Sequence, residues 1–198
     1  RYFPKLSNQI NNTTTIGELL PTYARAMHFR LTARDNKAAG GGVCYAQTTI
    51  TTVATAGPFI VTSPSAGGIV WNVNEFQTVT WNTAGTALAP ISAANVAIQL
   101  STDGGLTFPT TILASTPNDG TEEIQVPNNV TTQARIRVIA VGNVFYDFSN
   151  SNFTIQVAPT ATFVFNNPDP VKICSGTSGT ATLKSGALKS FATAIALT

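Results

Sequence analysis

The chain has 198 residues, only 10% of them charged, and a net charge of +2. That is room for one large or two small domains, with a core above the size at which metals or disulfides become necessary. So few and so balanced charges exclude the basic footprint of a nucleic-acid binder and a polyanion-binding surface.

No apolar run approaches the roughly 18 residues of a membrane span. Much Thr, Asn, Gly and Ala with a single Met suits a secreted or cell-surface bacterial β protein. With Arg1 first and no leader pattern behind it, the chain is expected to be either excised from something longer or processed.

In chain order, three segments emerge: 1–57, 58–157 and 158–198. The first opens on Arg1-Tyr2-Phe3-Pro4 and an Asn/Thr stretch that cannot hold a core. Residues 22–34 then place Met27, Phe29, Leu31 and Ala33 on one face and His28, Arg30, Thr32 and Arg34 on the other, the period of a half-exposed strand. Asp35-Asn36 ends it in a turn, Gly40-Gly41-Gly42 reads as a flexible connection, and 47–54 as another Thr-rich strand. The glycines lack the spacing and following helix of a phosphate loop. This segment carries a net +4 and the central one a net −4, which supports a boundary near Gly57-Pro58. Segment 1–57 is expected to be the C-terminal β part of a preceding module.

The central segment predicts strands at 59–62, 69–73, 76–82, 95–101, 107–113, 121–126, 134–141 and 153–157, the density of an Ig-like or fibronectin-like antiparallel β-sandwich. Alternation sends Val79 and Trp81 inward, with Val96, Ile98 and Leu100, Ile124 and Val126, Ile136 and Val138, and Phe153, Ile155 and Val157. Ile139 and Val141 fall on the opposite face, as in a central strand covered on both sides. Turns at Gly67-Gly68, Asp103-Gly104-Gly105, Pro117-Asn118-Asp119-Gly120 and Pro127-Asn128 separate the strands.

After Ala158-Pro159, strands are expected at 162–166 and 171–174, then a Ser/Gly/Thr/Lys-rich stretch and an apolar 191–197. Some forty residues bury too little to stand alone, so 158–198 reads as the start of a following β module, with completion of a second sheet by 1–57 as the alternative. Cys44 and Cys174 flank the centre without a metal-ligand spacing; either they bridge, or each is a buried small hydrophobe.

Catalytic chemistry is short of residues. His28 is the only histidine and sits on an outward face, which excludes two-histidine metal centres and leaves a Ser-His-Asp triad without a nucleophile elbow. Glu122 and Glu123 are adjacent on a strand, so they point to opposite faces and cannot flank one bond. No cofactor is expected. The strongest local motif is Ser101-Thr102-Asp103-Gly104-Gly105-Leu106-Thr107-Phe108, similar to an Asp-box hairpin S-x-D-x-G-x-T-W/F. In that motif the aspartate accepts bonds from the turn and the aromatic packs beneath it, a structural role. Calcium held by Asp103 and Asp119 is the alternative. Trp71 and Tyr146 are candidate ligand-facing aromatics for a glycan; packing of Trp71 across from Trp81 is the competing expectation.

The stretches 20–25, 29–36, 40–43 and 55–59 resemble modules that follow the catalytic domain of large secreted bacterial zinc metalloproteases of the reprolysin-like kind. The likeness continues through Val79-Thr80-Trp81-Asn82, 100–105, 116–120, Ala134-Arg135-Ile136 and 152–155. The centre also resembles the Ig-like domain of fungal cell-wall glucan-synthesis proteins, through Pro64, Gly67-Gly68, Trp71, Thr78, Thr80 and Trp81, with Asn74-Glu75 replacing its usual glycine turn. The resemblance implies a noncatalytic accessory module acting as spacer and docking surface. Its implied partners are neighbouring domains of the same polypeptide and a protein substrate or cell-surface glycan; the alternative is a carbohydrate-binding or adhesion module.

Overall fold

The computed structural model describes residues 2–38, 40–166, 178 and 180–189. Among the described residues the structure is all-β but for one short helix, α1 (Leu6–Ile10). A long hairpin, β1 (Arg25–Arg34) and β2 (Val43–Thr52), leads into a β-sandwich. The sandwich is built from β3 (Ile60–Ser63), β4 (Val70–Asn72), β5 (Phe76–Asn82), β6 (Asn95–Ser101), β7 (Thr110–Pro117), β8 (Thr121–Gln125), β9 (Thr131–Ala140), β10 (Tyr146–Phe148) and β11 (Phe153–Gln156). A second short hairpin follows, β12 (Thr162–Phe165) with β13 (Ser185–Leu188).

One layer is β3-β5-β8; the other is β4-β11-β9-β6-β7, with β10 also on β9. All pairs are antiparallel except β4 with β11, where Trp71 lies beside Ile155. The predicted alternation places the core. Val79 and Trp81 of β5, with Val61, Ile124 and Val126, face Trp71, Val96, Ile98, Leu100, Ile136, Val138, Phe153 and Ile155 across the layers, all buried. Removing that much apolar surface from water is the main favourable term, at about 25 cal/mol per Å².

Several expectations shift. Val157, expected in the core, is 50% exposed because β11 stops at Gln156 and the face no longer alternates beyond it; Ala158 is buried instead. Strand β7 starts at Thr110 rather than 107, since Thr107 is tied into the preceding turn. β10 was not anticipated: three residues after a Gly-Asn turn carry too short a pattern to read. The expected central strand is β9, flanked by β6 on one side and by β10 and β11 on the other, although Val141 lies past its end and is exposed. Where the glycine turn is missing, Asn74 takes φ 68, a left-handed conformation asparagine tolerates.

Of the flanking segments, the hairpin β1–β2 pairs full length, Arg25 with Thr52 through Arg34 with Val43. β2 therefore begins at Val43 and absorbs the residues after the glycines. β13, in a stretch with no strand signal, docks on the sandwich: Asn74 Nδ2 donates to Ala187 O at 3.0 Å, and Leu188 is buried. Strands β12 and β13 pair with each other rather than with residues of 1–57. Cys44 is exposed, not a buried hydrophobe. Cys174, and with it the bridge, lies outside the described residues, as do the expected strand 171–174 and the apolar 191–197.

Candidate functional site

The Asp-box candidate forms the turn between β6 and β7. Ser101, fully buried at the end of β6, donates its hydroxyl to Asp103 Oδ1 (2.7 Å) and accepts the N–H groups of Asp103 (3.3 Å) and Gly105 (2.8 Å). Asp103 in turn accepts the Thr107 N–H (2.9 Å) on Oδ1 and the Thr107 hydroxyl (2.6 Å) on Oδ2. Partial burial pushes the Asp103 carboxyl up, but the bonds from Thr107 and Ser101 outweigh it and hold the group at about 2. Gly105 has φ 94, and a Cβ there would lie 3.2 Å from Arg135 Cδ, so both backbone and space call for glycine.

Phe108 extends the motif onto the outer face of the larger sheet. Its ring lies 5.6 Å from Phe148, with the Arg137 guanidinium 4.2 Å above it. Arg137 is pinned by Gln99 Oε1, accepting from Nε (2.9 Å) and Nη2 (2.5 Å), and also faces Tyr146 at 5.5 Å. Beside it Arg135 is buried: Nε donates to Asn152 Oδ1 (2.7 Å) and Nη2 to Ile10 O (3.1 Å), while Nη1 has no hydrogen-bond partner among the described residues. Burial lowers the pKa of this guanidinium, although an arginine stays charged.

The N-terminal segment closes over this face. Tyr146 donates its hydroxyl to Gln9 Oε1 at 2.8 Å, and Tyr2 meets its ring edge-on at 6.1 Å. Burial raises the phenol above its ordinary range, the Gln9 bond opposing. With Phe148 stacked at 6.5 Å as well, Tyr146 is half-buried and its ring is largely committed within the chain.

Trp71 is not ligand-facing. It is 4% exposed, and its ring partner is Phe153 at 4.5 Å rather than Trp81, because β4 joins the larger sheet alongside β11. Trp81 is equally buried, and its Nε1 donates to Asn118 Oδ1 at 2.9 Å. The shared calcium site fails on geometry. Asp103 and Asp119 sit at opposite ends of the eight-residue β7, some 25 Å apart at about 3.3 Å per residue, and Asp119 instead accepts the Thr121 N–H. Glu122 and Glu123 do lie on opposite faces of β8, and Glu122 accepts the Thr116 hydroxyl of β7, tying the two layers at one edge. His28 keeps its outward position, Nδ1 within 2.9 Å of Thr49 Oγ1. The glycine run is the hairpin tip, where Asp35 accepts the Lys37 N–H at 3.1 Å.

Two further polar residues tie the sandwich together. Asn118 serves Trp81 and donates to Thr86 Oγ1 and Ala93 O, both at 3.0 Å. Asp147 crosses between layers, accepting the Val61 N–H at 2.7 Å, and burial pushes its carboxyl up. A charged residue flanked by two aromatics in Tyr146-Asp147-Phe148 was the available signal for the latter. Among the described residues no three His, Cys, Asp or Glu side chains converge as metal ligands. No family model matches this chain, and neither does any curated protein.

Proposed function

We propose that this chain is a noncatalytic accessory β-sandwich module of a secreted, multidomain bacterial protein, a zinc metalloprotease by the resemblance of its sequence. On this reading it spaces a neighbouring catalytic domain and docks it on its substrate or on a cell surface. What supports the reading most is the use made of the acids: Asp35, Asp103, Asp119 and Asp147 each accept backbone N–H groups of the fold, Glu75 accepts the Asn72 N–H at 3.0 Å, and Glu122 ties β8 to β7. Carboxylates employed this way stabilise turns and layer edges and are poor general acids or bases.

The test is to incubate the purified chain with casein and zinc, alone and fused behind a protease domain carrying an H-E-x-x-H helix. Alone it gives no hydrolysis; fused, it lowers KM for a large protein substrate and leaves kcat unchanged. Zinc-dependent cleavage by the chain alone would end this reading. The carbohydrate-binding or adhesion alternative keeps Tyr146 as its half-exposed candidate, now that Trp71 has no ring face in water. Glycan-array binding abolished by Tyr146→Ala would replace our reading with that one.

A further inference from the structure

Outside the sandwich, the hairpin β1–β2 stands as a separate two-stranded ribbon. Two ten-residue strands pair only with each other among the described residues, and nearly every position is exposed. An isolated two-stranded ribbon is marginal in water, and a long open edge is a template for another strand. Register makes this ribbon two-faced. Met27, Phe29 and Leu31 lie opposite Ile50, Thr48 and Ala46 on one face, and His28, Arg30 and Thr32 lie opposite Thr49, Gln47 and Tyr45 on the other. Leu31 is 76% exposed, and the apolar face floors a groove of about 750 Å³ walled by Tyr2 and Phe3.

The two edges differ in charge. β1 carries Arg25, His28, Arg30 and Arg34, all exposed, whereas the ten residues of β2, Val-Cys-Tyr-Ala-Gln-Thr-Thr-Ile-Thr-Thr, carry none. Cations on an edge are a common guard against pairing, and only β1 has them. A second β1 lying at one strand spacing would set two arginine rows about 5 Å apart. Pairing through β2 instead puts the two β1 rows three spacings apart, about 14 Å, beyond the Debye length of about 8 Å at physiological salt.

We propose that β2 pairs antiparallel with β2 of a second copy of this chain, forming a four-stranded sheet in the order β1-β2-β2-β1 about a two-fold axis normal to the sheet. The contact is isologous, so it closes at two copies. Side-chain parity selects the register. Joining all ten residues end to end would set Val43 against Thr52 and place the apolar face of one copy beside the polar face of the other. A one-residue offset sets Ala46 opposite Thr48 or Ile50 and keeps the apolar stripe continuous across the axis. With Ala46 opposite Thr48, Gln47 of one copy meets Gln47 of the other on the polar face; with Ala46 opposite Ile50, Gln47 meets Thr49.

Sedimentation equilibrium of the full chain from micromolar to several hundred micromolar tests this. The expected result is a mass that doubles with concentration, and a Gln47→Lys/Thr49→Lys variant whose dissociation constant rises at least about tenfold, because like charges then meet across the axis. Arg30→Glu/Arg34→Glu leaves the dimer intact. Both substituted pairs lie outside the sandwich, which holds both tryptophans, so unchanged fluorescence verifies the sandwich; amide shifts of β1 and β2 in the dilute monomer verify the hairpin, where the new lysines stand opposite Arg30 and His28. Hydrogen exchange gives a second reading that needs no variant: β2 amides slow as concentration rises. A mass that stays monomeric, a dimer indifferent to the lysines, a dimer dissolved by the Arg→Glu pair, or β2 amides that do not slow would each overturn the proposal.

Discussion

Asp103 and Asp147 are both acids on turns or short strands at the layer edges, yet their surroundings push them in opposite directions. Burial pushes the Asp103 carboxyl up, but the bonds from Thr107 and Ser101 together outweigh it and hold the group at about 2. A carboxyl depressed in the folded state stabilises above its unfolded value, near 3.8, and that stability is lost as pH falls towards 2. Urea midpoints measured across that window should fall in the native chain and flatten in Asp103→Asn. Asp103→Ala is expected to cost about 1–2 kcal/mol at neutral pH, for two lost bonds to Thr107. Asp147 runs the other way: burial raises its carboxyl, so its contribution is greatest when protonated and declines as pH rises through the folded value. Asp147→Asn, which keeps an acceptor for the Val61 N–H, should therefore be at least as stable as the native chain at neutral pH, whereas Asp147→Ala should be less so. In the core, Trp81→Phe strands Asn118 Oδ1 without its donor. Truncating one partner should cost about 1–3 kcal/mol, and a double-mutant cycle with Asn118→Ala should show a coupling of about 1 kcal/mol.

At the scale of elements, helix α1 is a strap. Five residues without a capping side chain have little helical stability of their own. What keeps α1 in place is contact with the sandwich: Gln9 on Tyr146, Ile10 O on Arg135, and Asn12 Nδ2 donating to Asn150 O at 3.0 Å. Removing residues 1–12 should return the Tyr146 phenol, raised by burial, to its ordinary range. An ultraviolet titration of the truncated chain against its Tyr146→Phe counterpart reads this directly, and an unmoved phenol would mean the strap is not what buries it. The strap was illegible beforehand because its partners lie more than a hundred residues away in sequence, and a polar Asn/Thr stretch has no periodicity to report. The motif turn was legible because its bonds are local: each runs between residues two to four apart.

For the whole molecule, the layered core and the ribbon beside it should differ in stability. At concentrations low enough to keep the chain monomeric, amides of β5, β6 and β9 are expected to exchange slowest, near the global limit, and those of β1 and β2 fastest, since nearly every position of the latter is exposed. Native-state hydrogen exchange ranks them, and protection of β2 equal to that of β9 under those conditions would contradict this layout. By itself the chain's alternation determined the all-β class, most sandwich strands and nearly all of the inward set from Val79 to Ile155, because burial of one strand face is written at a period of two residues. Only the tertiary structure decided that β4 joins the larger sheet and so buries Trp71 against Phe153, that Asp103 and Asp119 lie at opposite ends of β7, that Arg135 lies under α1, and that a ribbon stands open beside the core. Each of these depends on which strands become neighbours across the layers, and that is set by the summed packing of the core rather than by any local pattern.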